Sequence, residues 1–78
     1  MRVTIAKVSE KLFDGDAREL TVPSVDGELT ILSHHMPLVT TLKKGEVRVV
    51  EAANANPIMF SIDGGVLEIS NNRAIVLL

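Results

Sequence analysis

The chain contains no cysteine, tryptophan or tyrosine, and Phe13 and Phe60 are its only aromatic residues. Without cysteine there is no disulfide scaffold and no thiolate metal site, the two usual supports of a small secreted domain. Without flat aromatic faces there is little to stack a nucleobase or a sugar. The charge is not basic either: 8 Lys and Arg against 10 Asp and Glu give a net charge of −2. Such a balance supplies no positive field for a phosphate backbone, so a nucleic-acid partner is excluded from the reading. No stretch approaches the ~20 apolar residues of a membrane span. Residues 1–7 hold no long apolar run of the signal-peptide type.

What the chain has is aliphatic content. Of its 78 residues, 46% are hydrophobic, mostly Val, Ile and Leu. That length corresponds to one domain, residues 1–78. The dominant period is two. Val3-x-Ile5, Leu20-x-Val22, Leu29-x-Ile31, Val47-x-Val49, Ile58-x-Phe60-x-Ile62, Leu67-x-Ile69 and Ile75-x-Leu77 all alternate. Turn formers separate them: Asp14-Gly15-Asp16, Asp26-Gly27, Asn54 to Pro57, Asp63-Gly64-Gly65 and Asn71-Asn72. The pattern predicts strands at 2–8, 17–23, 28–32, 38–42, 46–52, 58–62, 65–70 and 73–78, with a short turn around 9–11. It predicts hairpin turns at Asp14-Gly15, Asp26-Gly27 and Asp63-Gly64-Gly65. The fold class is therefore all-β, a sandwich or barrel.

The chemistry-bearing residues form no recognised catalytic pattern. His34 and His35 are adjacent, so on a strand they point to opposite faces. Met36-Pro37 implies that the backbone turns there. Two histidines with Asp26 or Glu28 still fall short of a metal site that needs three or four convergent ligands. Ser9, Ser24, Ser33, Ser61 and Ser70 lie outside any Gly-x-Ser-x-Gly elbow. Asp63-Gly64-Gly65 lacks the lysine and the following helix of a phosphate loop. No catalytic, cofactor-binding or metal-binding residue is assigned.

The turns and alternations together resemble a family. The residues that carry the resemblance are Val22-Pro23, Gly27-Glu28-Leu29-x-Ile31-Leu32, His35-x-Pro37-Leu38-Val39-Thr40, Leu42-Lys43-x-Gly45 and Val47-Arg48-Val49. Leu12-Phe13-x-Gly15 precedes them, and Gly64-Gly65-Val66-Leu67-Glu68-Ile69 with Asn72 and Ala74-Ile75-Val76-Leu77 follows. Nearly the whole chain is similar to the N-terminal domain of the epsilon subunit of F-type ATP synthases, called delta in mitochondria.

The resemblance implies a flattened β-sandwich of two mostly antiparallel sheets with about 8–10 short strands. It implies a non-catalytic rotor subunit at the foot of the central stalk. Such a subunit binds the gamma subunit and the polar loops of the c-ring, and meets the alpha/beta hexamer only indirectly through gamma. By analogy His35, Pro37, Leu38, Val39 and Thr40, with Lys7, form the gamma contact. Asp26, Gly27 and Glu28 form the c-ring contact. The location implied is peripheral, on the cytoplasmic face of a bacterial inner membrane or the equivalent side in an organelle. The C-terminal helical hairpin of many family members is absent, so neither ATP binding nor inhibition of hydrolysis is assigned. Thr30, Ser33 and His34 depart from the usual glycine, proline and glycine, which sets side chains where the backbone is tight. Two further readings stand beside this one: an unrelated β-sandwich adaptor, and a metal-dependent hydrolase using His34, His35 and Glu28.

Overall fold

A computed structural model describes all 78 residues as nine strands with no helix. The strands are β1 (Arg2–Ala6), β2 (Lys11–Asp16), β3 (Glu19–Ser24), β4 (Gly27–Leu32) and β5 (Leu38–Leu42). The remainder are β6 (Gly45–Val50), β7 (Ile58–Ile62), β8 (Gly65–Ser70) and β9 (Arg73–Leu77). One leaf runs β2-β1-β9-β8-β5 and the other β4-β3-β6-β7. Every pairing is antiparallel except β1 with β9. The two expected sheets are two halves of one continuous curled sheet. A single residue pair, Ser24 with Leu42, joins them.

That junction follows from Pro23. A proline has no N–H to give a ladder. Strand β3 pairs with β6 as far as Thr21, then with β5 at Ser24, so the missing donor falls where β3 changes partner. The Pro23 carbonyl accepts from the Lys43 N–H (2.8 Å), and Val25 N–H donates to the Thr41 carbonyl (3.0 Å). The chain then bends through Lys43-Lys44 from one leaf into the other. Gly45 is needed at the bend, because a Cβ there would stand 2.9 Å from the Pro23 Cβ.

Alternation delivers the core. Val3, Ile5, Leu20, Val22, Ile31, Leu42, Val47, Val49, Ile62, Leu67, Ile69, Ala74 and Val76 are buried in one cluster fed by both leaves. Each fully buried aliphatic side chain stabilises the fold by about 1.5–3 kcal/mol, which ordering the chain then largely offsets. The outer edges meet as well. Phe13 of β2 and Phe60 of β7 pack edge to face with centroids 6.3 Å apart, closing the open side of the curl.

Two expectations need correction. Asp14-Gly15-Asp16 is not a turn but the second half of β2, paired with β1 in the register Arg2 to Asp16 and Thr4 to Asp14. The actual turn is Lys7 to Glu10, closed by Lys7 N–H to Glu10 O (2.8 Å), so the first strand ends at Ala6 rather than at residue 8. Asp63-Gly64-Gly65 is not a hairpin either. Strand β7 pairs with β6, and β8 pairs with β5 and β9, so this segment crosses between leaves. Two glycines serve the crossing, with φ of 144° and 151°. The Asp26-Gly27 hairpin is as expected, and the turn expected at Asn71-Asn72 closes a second hairpin, β8 with β9. Both asparagines are left-handed (φ 52° and 57°), as a two-residue primed turn requires.

Candidate docking surfaces

Strand directions sort the loops onto two ends of the molecule. One end gathers residues 7–10, 25–26, 43–44 and 63–64. The other gathers 17–18, 33–37, 51–57 and 71–72. The Asp26-Gly27-Glu28 turn and the His35-to-Pro37 loop therefore lie at opposite ends of β4. Six residues of strand separate them, about 20 Å.

The acidic turn is built by Ser24. Its hydroxyl donates to the Gly27 carbonyl (2.7 Å) and accepts from the Asp26 N–H (3.2 Å). Ser24 is the chain's only buried polar side chain, and these two bonds satisfy it. Gly27 takes φ 125°, outside the range of L side chains. The result is a rigid two-residue loop with Asp26 and Glu28 exposed. From the sequence Ser24 is only one of five serines outside a nucleophile elbow. Its contribution is to hold the turn, which the spacing to Gly27 signals.

At the other end, His34 takes a left-handed φ of 63°, at a position where the family resemblance expects glycine. Its N–H donates to the Asn72 Oδ1 (2.7 Å), which holds the loop against the β8–β9 turn. The His35 Nδ1–H donates to the Met36 carbonyl (2.7 Å), so the imidazole shapes the loop before Pro37. Thr30, another of the three departures, is unstrained: it lies on the outer face of β4, hydroxyl to hydroxyl with Thr21 at 3.0 Å.

The candidate gamma-contact residues divide by face. Leu38 and Thr40 stand opposite the buried Ile69 and Leu67, so both turn toward the core and are half-buried. Val39, between them, is 68% exposed, and Pro37 is exposed. Leu32, on the outer face of the other leaf, and Met36, in the loop between, are further exposed apolar side chains at this end, at 55% and 77%. These two were not singled out from the sequence, although their place beside the His-x-Pro corner was the available signal. Lys7 is exposed at the opposite end, with the acidic turn. The structure does not bring it beside His35.

The hydrolase residues are not assembled. Glu28 and the two histidines occupy opposite ends of β4, and no group of three or more His, Cys, Asp or Glu gathers where it could hold a metal ion. No helix is long and apolar enough to cross a membrane. Elsewhere, the one strongly perturbed carboxylate is Asp14. It accepts from Arg2 Nε (3.0 Å), Thr4 Oγ1 (3.2 Å) and Lys11 Nζ (3.2 Å). The bond from Arg2, then that from Lys11, holds its carboxyl at about 2. The pairing raises Arg2 further above its already high value. This cluster ties β2 to β1.

Fold and surface together define a small all-β domain, a two-leaved sandwich whose distinctive groups are loops at its two ends. Comparison with known proteins is specific about which. The family model for the ATP synthase delta/epsilon chain, β-sandwich domain, matches residues 1–78. The chain belongs to that family, which removes the reading of an unrelated adaptor. It is 36% identical over 77 residues to the ATP synthase epsilon chain of Herminiimonas arsenicoxydans, covering 99% of this chain and 55% of that one. It is also 36% identical to the epsilon chain of Clostridium kluyveri, covering 99% and 58%. The chain thus spans about half the length of the curated relatives it matches. Among solved structures, a chain of the Euglena gracilis mitochondrial ATP synthase assembly of OSCP, F1 and c-ring superposes with a TM-score of 0.88 at 18% identity. That match covers 96% of this chain and 48% of the other. A chain of the Tetrahymena thermophila central stalk and c-ring gives 0.81 at 18% identity, covering 99% and 61%. Both confirm the β-sandwich fold.

Proposed function

We propose that this chain is a non-catalytic docking module of a rotary ATP synthase rotor, joining the gamma subunit to the c-ring so that ion flow and ATP synthesis are coupled. The observation that carries the reading is the opposed placement of two different surfaces in a chain of this family. One end offers a rigid acidic turn, Asp26-Gly27-Glu28. The other offers an apolar ledge of Leu32, Met36, Pro37 and Val39. A module between two partners needs two such surfaces, held apart by a packed core. Peripheral attachment to a membrane complex, on the cytoplasmic side or its organellar equivalent, goes with this role.

Magnitudes assign different work to the apolar and the charged groups. Covering Leu32, Met36 and Val39 yields up to about 1.5–3 kcal/mol each, before the costs of association. A carboxylate at an exposed turn paired with a basic loop residue contributes about 0–1 kcal/mol. The apolar ledge therefore carries affinity at its end, while at the acidic end Val8 and Val25 carry the affinity and Asp26 and Glu28 the orientation. In this reading the gamma contact centres on His35, Pro37 and Val39, with Leu38 and Thr40 shaping the ledge from beneath. A gamma surface that also reaches Lys7 has to run about the length of β5, on the order of 17 Å.

Co-purification with the gamma subunit of the same organism tests the assignment. Val39→Asp and Met36→Asp are expected to lower retention at least tenfold, whereas Glu28→Arg retains gamma. Loss of gamma in Glu28→Arg with full retention in Val39→Asp would reverse the two ends.

A further inference from the structure

The outer face of β1, β2 and β9 carries a cluster that neither docking surface uses. Arg2, Thr4, Lys11, Asp14 and Arg73 line a groove of about 310 Å3. Its charges do not balance: three cations and one carboxylate leave an excess of two positive charges. The nearest other carboxylate on β2, Asp16, stands opposite Arg2 in register and sits 3.4 Å from the Met1 amine, so it is shared between the two cations and offsets the excess only in part. Arg73 takes part in none of the three ion pairs of the chain. Glu68, which shares a second shallow groove on the other side of Arg73, makes no ion pair with it.

Arg73 also stands in register beside Arg2 on the parallel β1–β9 pair, with strands about 4.8 Å apart. Like charges side by side on one face repel. The arrangement sets a local positive excess within a chain of net charge −2. Asp14 holds two of the three cations over the groove. Asp14 engages only the Nε of Arg2 and one N–H of Lys11, which leaves both Nη groups and two ammonium N–H free. A guanidinium fork matches the spacing of phosphate oxygens.

We propose that the Arg2–Lys11–Arg73 groove is an anion site for a single dianionic phosphate group. Phosphate offers three oxygens in a fork-matching geometry to Arg2, Arg73 and Lys11 together, whereas a carboxylate has only two.

Titration of the isotopically labelled chain with inorganic phosphate tests the site by nuclear magnetic resonance. The ionic strength is held constant with chloride, and the pH is kept well above about 7, where inorganic phosphate, a weaker acid in its second step than a phosphate ester, is dianionic. The amide and side-chain resonances of Arg2, Lys11, Asp14 and Arg73 are expected to move on one saturating curve in the millimolar range. Arg73→Gln removes a cation without touching the Asp14 network. It is expected to weaken binding about fivefold or more, with resonances elsewhere unchanged. A second arm uses phosphatidylcholine vesicles with and without phosphatidic acid. Co-sedimentation that needs both phosphatidic acid and Arg73 assigns the phosphate to a lipid headgroup. Binding of free phosphate without it assigns a soluble one. Absence of a saturable shift at these residues, or an equal curve in Arg73→Gln, overturns the site.

Discussion

Gly65 and Gly27 both hold positive φ, yet they answer different needs. At Gly27 (φ 125°) an added Cβ meets nothing, so Gly27→Ala costs only the backbone strain, about 1–2 kcal/mol. At Gly65 (φ 151°) the same Cβ runs into the Leu77 carbonyl across the β8–β9 pair. Gly65→Ala adds that clash and is expected to cost about 2–5 kcal/mol, most of the stability of a domain this size. Urea denaturation of the two variants separates strain from collision. Asp14 sets a pH dependence. Its folded pKa of about 2 lies below the ordinary 3.8, so its contribution is fully present above about pH 4 and is lost as pH falls toward 2. Asp14→Asn should remove that part of the acid sensitivity, and the stability gap between the two proteins should close between pH 4 and pH 2. A gap that is constant across that range contradicts the pairing with Arg2 and Lys11.

At the scale of elements, β2 was the strand least legible in the sequence. Asp14-Gly15-Asp16 has turn composition, and a bulge between Ile5 and Ala6 breaks the alternation of the pair. What makes it a strand is lateral: Asp14 bonds across to Arg2 and Thr4, and Phe13 reaches Phe60 on β7. Neither partner is near in sequence, so no local pattern announces them. The crossing at Asp63-Gly64-Gly65 was hidden for the same reason. A glycine pair between two apolar runs reads as a hairpin, and only the pairings of β7 and β8 show the change of leaf. By contrast, period two marked seven of the other eight strands, although in β9 the alternation Ile75-x-Leu77 is the outer face and Ala74 and Val76 are the buried pair. Phe13→Ala is expected to destabilise by about 2–4 kcal/mol. A double-mutant cycle with Phe60→Ala should give a coupling of about 0.5–1.5 kcal/mol. Zero coupling would mean that the two edges do not support each other.

The whole molecule is one curled sheet with a single core, and its candidate site was legible in part. The acidic turn and the His-x-Pro corner stood out as motifs. Their separation to opposite ends did not, because it depends on the direction of β4. Nor did the exposure of Leu32 and Met36, since alternation alone does not say which apolar residues the loops leave uncovered. The positive excess at Arg2, Lys11 and Arg73 was equally hidden, being gathered from three strands. The central claim is that the two ends meet different partners. Because the chain has no cysteine, a single cysteine at position 28 or 35 can carry a short photo-crosslinker in the assembled ATP synthase. The measurement is the identity of the crosslinked subunit. The account predicts c-subunit from Glu28→Cys and gamma from His35→Cys. Crosslinks to the same subunit from both positions, or the reverse assignment, would contradict it.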